Sequence, residues 1–278
     1  MSTVRSALSV GAEMLSSVDT PFLDATVLLS HALGITKEQL LASYPEEIPQ
    51  PIMKTYKAYI EQRLSGIPVS YIIRKKEFYG LPFYIDERVL VPRPETETLI
   101  EAASQELRES PDKRRLLDLC TGSGCIAITL SYLFPELLVS ASDISPQALE
   151  VARKNGKHLL SHMPRFIESD LFEAVEGKFD LIVSNPPYLT DKEMDELRRR
   201  RWPEPEEALN GGTDGLDQAK RIVHEAFAHL ASYGYLLLEG DVRRIGAITE
   251  LFHTAGYRDI QVYPDLSGRG RVVGGRKG

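Results

Sequence analysis

Apolar positions keep a helical rhythm through the first part of the chain and a strand rhythm after it. Between about residues 3 and 64, Leu8, Ala12 and Leu15, then Ala25, Leu28, Leu29, Ala32 and Leu33, recur three and four apart. That spacing lines one face of successive helices. Asp19-Thr20-Pro21 predicts a break and a new helix start, with proline in the first turn, where its missing N–H costs nothing. Gly34 predicts a stop, and Thr36-x-x-Gln39 ahead of Leu40-Leu41 has the form of a capping box. Pro45, Pro49 and Pro51 precede another helix, Ile52 to Leu64, which Ser65-Gly66-Ile67-Pro68 ends. The prediction is a small helical bundle over residues 1–70, with nothing in it that looks catalytic.

Residues 71–91 read as a linker built on a β-hairpin, two aromatic runs around a Gly80-Leu81-Pro82 turn. In Val91-Pro92-Arg93-Pro94-Glu95-Thr96-Glu97 the prolines end an extended segment, and Glu95 and Glu97 open the next helix, where its dipole favours them. From residue 115 strands and helices alternate. Strands are predicted at Arg115–Leu119, Leu137–Ala141 (running on to Asp143), Arg165–Ile167, Phe179–Ile182 and Tyr235–Glu239. Helices are predicted from Cys125 to Phe134, Pro146 to about His162, Leu216 to Leu230 and Arg243 to Ala255. The stretch between Tyr188 and Leu216 reads as a polar loop. Asp259–Tyr263 and Arg271–Val273 form an antiparallel pair at the end. The alternation predicts an α/β, doubly wound, mostly parallel sheet over residues 92–278.

Composition narrows the function classes. Hydrophobic residues at 42% and charged residues at 26% fit an ordinary globular protein, and no apolar run reaches the ~18 residues of a membrane span. Met1-Ser2-Thr3-Val4-Arg5 leads into a polar helix rather than a signal peptide's apolar core, so a cytoplasmic protein is expected. A net charge of -7 argues against a protein whose main task is gripping phosphate backbones. Arg198 to Arg201, followed by Trp202, is the one basic run, and a solvated helix end explains it more simply than a nucleoprotein contact does. Cys120 and Cys125, and His158 with His162, lack the partners of a metal site, so none is expected.

Two stretches carry candidate chemistry. Phe179-Asp180-Leu181-Ile182 runs into Val183-Ser184-Asn185-Pro186-Pro187-Tyr188. The paired prolines stop the strand and hold Asn185 extended. A stiff turn with one amide and one phenol results, at the strand edge where α/β proteins bind ligands. The second stretch is Asp118-Leu119-Cys120-Thr121-Gly122-Ser123-Gly124, a glycine turn between a strand and its helix. Asp143 ends the next strand, where a carboxylate can bind ribose hydroxyls, and Asp170 follows a third. Without a full G-x-G-x-x-G or a P-loop lysine, the loop suits a nucleoside carrying an amino acid better than a dinucleotide. S-adenosylmethionine has that anatomy.

In combination these stretches resemble Rossmann-like methyltransferases that act on planar nitrogen. More narrowly, they resemble the release factor glutamine methyltransferases, the PrmC/HemK family. The shared stretches run in family order: Glu77-Phe78-Tyr79-Gly80; Val91 to Glu97; the Asp118–Gly124 loop; Asn185 to Tyr188; Glu204-Pro205 through Gly211-Gly212 to Leu216; and Asp265-Leu266-Ser267-Gly268-Arg269. Two departures are Ser70, where the family has Gln, and Gly240-Asp241-Val242, where it continues Ile-Gly.

The resemblance implies a seven-stranded methyltransferase sheet behind a helical substrate-recognition domain. It implies methyl transfer from S-adenosylmethionine, leaving S-adenosylhomocysteine, to the side-chain nitrogen (N5) of the Gly-Gly-Gln glutamine in peptide chain release factors 1 and 2. Asn185, Pro186 and Tyr188 are the expected catalytic residues. Pro187 and Arg93 join them in substrate binding, although a surface salt bridge competes for Arg93. Cys120, Thr121, Gly122, Ser123 and Gly124 would line the methionine portion of the cofactor, close to Asn185, and Asp143 its ribose. Asp170, Leu171 and Phe172 would border the adenine, with a helix cap as the competing role for Asp170. No direct nucleic-acid binding and no membrane association are expected, and the protein is expected to be a monomer. An adenine-N6 nucleic-acid methyltransferase and a non-catalytic S-adenosylmethionine-binding protein are the alternatives.

Overall fold

A computed structural model describes residues 3–110, 112 and 114–278. It divides into two compact units, one comprising residues up to Lys75 together with Arg201–Pro203, the other Lys76–Arg200 with Glu204–Gly278. Among the described residues no helix is long and apolar enough to cross a membrane.

The first unit holds helices α1 (Val4–Met14), α2 (Pro21–Leu33), α3 (Lys37–Ala42), α4 (Gln50–Leu64) and α5 (Val69–Ile72). Its punctuation follows the sequence. Pro21 opens α2, Gly34 closes it at φ 67°, and the capping box closes fully, Thr36 accepting from the Gln39 N–H while Gln39 accepts from the Thr36 N–H. Pro51 sits in the first turn of α4, so that helix starts ahead of Ile52. Leu8, Leu15, Leu28, Leu29, Leu40 and Ile60 are buried together. Asp24, itself buried, takes a 2.7 Å bond from Arg63 Nε and another from Thr20, which joins α2 to α4. At Gly11 the α1 backbone comes so close to α4 that an added Cβ would lie 1.9 Å from Tyr56 Oη.

The second unit opens with hairpin β1 (Lys76–Phe78) and β2 (Leu81–Phe83). Its turn is Tyr79-Gly80, not Gly-Leu-Pro: both residues take positive φ, 50° and 74°, as a turn matching the strands' twist requires, and Pro82 is absorbed into β2. A 3₁₀ turn (Pro94–Thr96) leads into α6 (Glu97–Glu109). The strands that follow are β3 (Arg115–Leu119), β4 (Leu138–Asp143), β5 (Arg165–Glu168), β6 (Phe179–Ser184), β7 (Leu230–Glu239), β8 (Arg258–Pro264) and β9 (Gly270–Arg276). They form one seven-stranded sheet in the order β5-β4-β3-β6-β7-β9-β8. β9 is antiparallel to both neighbours, and the rest of the sheet is parallel. The intervening helices are α7 (Cys125–Leu133), α8 (Pro146–Leu159), α9 (Asp191–Arg199), α10 (Asp217–His229) and α11 (Ile245–Thr254). Leu117, Leu119, Ile182, Leu236 and Leu238 pack with Ile222, Val223, Ile248 and Phe252 of α10 and α11 into the core.

Helix α9 replaces much of the expected polar loop. Only Met194 is buried in it, and a second capping box, Thr190 with Glu193, starts it. Its end carries part of the arginine run: Arg198 pairs with Asp195 and Glu206.

Filling the Gly11 crossing tests this packing. Gly11→Ala destabilises the helical unit by about 1–3 kcal/mol, the range for overpacking a core. Tyr56→Phe alone is neutral or stabilising, because the buried Tyr56 hydroxyl has no hydrogen-bond partner among the described residues, and combined with Gly11→Ala it recovers part of the loss. The single tryptophan, Trp202, belongs to this unit, so its fluorescence through a urea titration reads the change.

Candidate active site

Strand register brings the candidate residues to one edge. Leu119 of β3 pairs with Ser142 of β4 and with Ser184 of β6, so Cys120, Asp143 and Asn185 leave the sheet at one level. Asp143 pairs with Glu168, which places Asp170 just beyond, and Ser184 pairs with Leu238, which brings Glu239 beside Asn185. β3 lies between β4 and β6, where the chain reverses its direction across the sheet, the point at which such sheets open a ligand crevice.

The glycine loop is held from below. Asp118, fully buried, accepts from Thr121 Oγ1 at 2.6 Å and from the Ala127 N–H at 3.1 Å, tying the end of β3 to the start of α7. Burial raises its carboxyl to about 7 against those two hydrogen bonds. Gly122 has open space around it but φ 54°, so glycine serves the backbone there. At Gly124 a Cβ would meet Ile128 at 2.8 Å and Ala152 at 3.1 Å, so glycine lets α7 pack on α8. Asn155 donates to the Ser123 and Tyr84 carbonyls and accepts from the Tyr84 N–H, bracing the loop from α8. Burial pushes the Cys120 thiol up, so it stays protonated.

Above the loop lies a cleft of about 110 Å³ whose walls include Cys120, Gly122, Asp143, Asp170, Leu171 and Asn185, with Leu90, Ser142 and Ile144. Asp143 accepts from the Gly122 N–H at 2.8 Å and the Ser145 N–H at 2.9 Å, and burial raises its pKa. Asp170 pairs with Arg221 at 2.8 Å, and the turn after it is capped by Ser169, which accepts from Ala174. Thr121, Ser123 and Gly124 stand behind the lining. So does Phe172, whose ring stacks on His229 at 4.6 Å within the core.

Asn185 lies on the wall of this cleft. Its Nδ2 donates to Thr96 Oγ1 at 3.2 Å, and Thr96 Oγ1 donates in turn to Glu239 Oε1 at 3.2 Å. Among the described residues its Oδ1 has no protein partner. Ser184 Oγ donates to the Leu119 carbonyl at 2.9 Å and fixes the strand end below. Pro186 is buried, Pro187 lines the cleft, and Tyr188 is half-buried with its phenol pushed up to about 12, chiefly by burial. The turn is buttressed by the loop after α9. The Leu189 N–H donates to Leu209, and the Gly211 N–H to Leu189. A Cβ at Gly211 would sit 2.7 Å from Tyr188 Cα and 2.8 Å from the Pro187 oxygen. Arg93 is ion-paired with buried Glu204, which also accepts from the Val91 N–H, and its side chain stays 36% exposed. The departure at Gly240-Asp241 forms a turn into α11, with Asp241 accepting from the Arg243 N–H and pairing with its guanidinium.

Sequence reading passed over Thr96, Glu239, Asn155 and Glu204. Glu239 left one signal, a carboxylate directly after the apolar run Leu236-Leu237-Leu238. Asn155 had another, an amide on the buried face of an amphipathic helix. Thr96 and Glu204 stand within the family stretches, but nothing local marks their pairings, since their partners lie 89 to 143 residues away.

Comparison with known proteins agrees with this architecture. The family model for the PrmC N-terminal domain matches residues 6–73, and that for the methyltransferase small domain matches residues 95–202. A release factor glutamine methyltransferase of Koribacter versatilis is 39% identical over 281 residues, covering 99% of each chain. One of Coxiella burnetii is 37% identical over 281 residues and covers 100% of each. The crystal structure of a methyltransferase from Pyrococcus furiosus superposes with a TM-score of 0.53 at 22% identity, over 72% of this chain and 91% of that one, and so shares the fold. With relatives this similar along its whole length, the chain belongs to the family of release factor glutamine methyltransferases.

Proposed function

We propose that this chain transfers a methyl group from S-adenosylmethionine to the side-chain amide nitrogen of the Gly-Gly-Gln glutamine in bacterial peptide chain release factors 1 and 2. The observation that carries the reading at the site is the Asn185 amide, whose nitrogen is engaged by Thr96 while its oxygen remains open on the cleft wall.

The cleft fits the cofactor. It mixes apolar walls with a few polar groups, the make-up of small-molecule sites. Cys120 to Gly124 would hold the methionine portion, with Gly122 letting it approach the backbone. Asp143 has acceptor capacity left for ribose hydroxyls. Asp170 would accept from the adenine's exocyclic amine beside Leu171, which Phe172 supports from the core. When bound, the cofactor supplies an electrophilic methyl group on a sulfonium.

A carboxamide nitrogen is a weak nucleophile because its lone pair is delocalised into the carbonyl, so the protein's task is orientation. The Asn185 oxygen and the Pro186 carbonyl would accept the two amide hydrogens. That aims the nitrogen at the methyl group and favours positive charge growing on it. Tyr188, kept protonated, would pack against the planar amide and can donate to it. Pro187 would shape the same wall, and Arg93, held by Glu204, would meet the incoming chain at the rim. Orientation of this kind can lower a barrier by roughly 7–11 kcal/mol. The helical unit would bind release factor away from the tripeptide. Its exposed Val10, Met14, Phe22 and Leu23 offer an apolar surface for that contact.

Three outcomes follow with release factor as substrate. Asn185→Ala lowers kcat by about 10²–10³-fold, the loss typical of one hydrogen-bonding group aimed at developing charge; turnover at the unmutated rate contradicts the mechanism. Gly211→Ala pushes on the Pro187–Tyr188 backbone and lowers kcat about tenfold or more, ~1.4 kcal/mol, with cofactor affinity retained in a calorimetric titration. Removing residues 1–70 raises KM for intact release factor about tenfold or more; an unchanged KM contradicts the recognition role of the helical unit.

A further inference from the structure

We propose that Thr96 and Glu239 are positioning residues that clamp the Asn185 amide with its oxygen toward the substrate. This rests on the role given to Asn185 above. An asparagine's terminal torsion is broad and nearly two-fold, so a half-turn exchanges oxygen for nitrogen. That exchange would present N–H groups to the N–H groups of the substrate amide, and the site would repel what it must hold.

The chain prevents the exchange with one proton. The Thr96 hydroxyl, 2% exposed, has a single hydrogen. It is spent on Glu239 Oε1 at 3.2 Å, so only lone pairs remain to face Asn185, and they accept from Nδ2. An ionised carboxylate only accepts hydrogen bonds, so Glu239 sets the direction of both bonds. A 1% exposed carboxylate closing the apolar strand β7, with Oε2 unpartnered among the described residues, is expensive for folding alone. The groups facing it are Glu95 and Thr96 of the 3₁₀ turn, Arg271 of β9, Tyr188 after the proline turn and Cys125 at the start of α7. Burial lifts Glu239 to about 7, with Thr96 and Arg271 opposing and Glu95 adding to the rise. Above that pH the carboxylate is charged and the clamp is set. Below it, a protonated Glu239 can donate to Thr96, whose hydroxyl is then free to turn to Asn185 and release the amide.

Kinetics of the full chain on release factor test this. Thr96→Val keeps the shape without the hydroxyl and is expected to lower kcat about tenfold or more while leaving S-adenosylmethionine affinity within about twofold. Thr96→Ser restores most of the rate. In an Asn185→Ala background Thr96→Val adds nothing, because the group it positions is gone. The unmutated enzyme loses kcat as pH falls through about 7, and Glu239→Gln, which cannot ionise, removes that acid limb. Thr96→Val at the full rate with Asn185→Ala slow overturns the clamp and leaves the role of Asn185 standing. An equal further loss from Thr96→Val in the Asn185→Ala background makes Thr96 merely structural and overturns it too. If Asn185→Ala itself is fast, the reading of Asn185 fails first and the clamp falls with it.

Discussion

The register of the parallel strands around β3 is the constraint on which everything else depends. Leu119 faces Ser142 on one side and Ser184 on the other. A strand's side chains alternate faces with period two, so a one-residue slip in either pairing would turn Asp143 or Asn185 to the wrong face. The slip is prevented by burial: Leu117, Leu119, Ile182 and Leu236 all belong to one dry core. The cleft and the Asn185–Tyr188 turn then arise next to each other as a consequence of how the sheet is filled.

Polar groups complete what the core begins. Asp118, Asn155, Ser184, Glu204 and Glu239 are all buried, and each holds a segment bordering the cleft. Burying such groups is tolerable only when they are hydrogen-bonded, and the bonds they make run from strand ends to loops. This is how loops, ordinarily the mobile part of a fold, become rigid enough to present single atoms. The glycines at 122, 124 and 211 serve the same end by allowing backbone conformations or approaches that a side chain would forbid.

Much of this was legible in the sequence because it is written in short-range patterns. The strands are apolar runs bounded by glycine or proline, and their carboxyl ends carry the residues that face the cleft. The helical caps at Thr36 and Gly34 are local chemistry and appear as read. Misreadings came where a local preference was overridden. Tyr79 takes a left-handed conformation that aromatic residues avoid, which shifted the hairpin turn. Helix α9 buries almost nothing, so it left no apolar period to detect. Phe172, expected beside the adenine, packs in the core with its ring on His229. The Asn185–Thr96–Glu239 chain joins residues 89 and 143 positions apart, a distance over which one sequence carries no signal.

If one planar nitrogen receives the methyl group, mapping the product will show it. Release factor is incubated with this protein and S-adenosylmethionine carrying an isotopically labelled methyl group, in the presence of DNA and RNA, and its peptides are then sequenced by mass spectrometry. One labelled methyl is expected on the side-chain nitrogen of the Gly-Gly-Gln glutamine and none on nucleic acid. Label on an adenine amine, or on a release factor residue other than that glutamine, would contradict it.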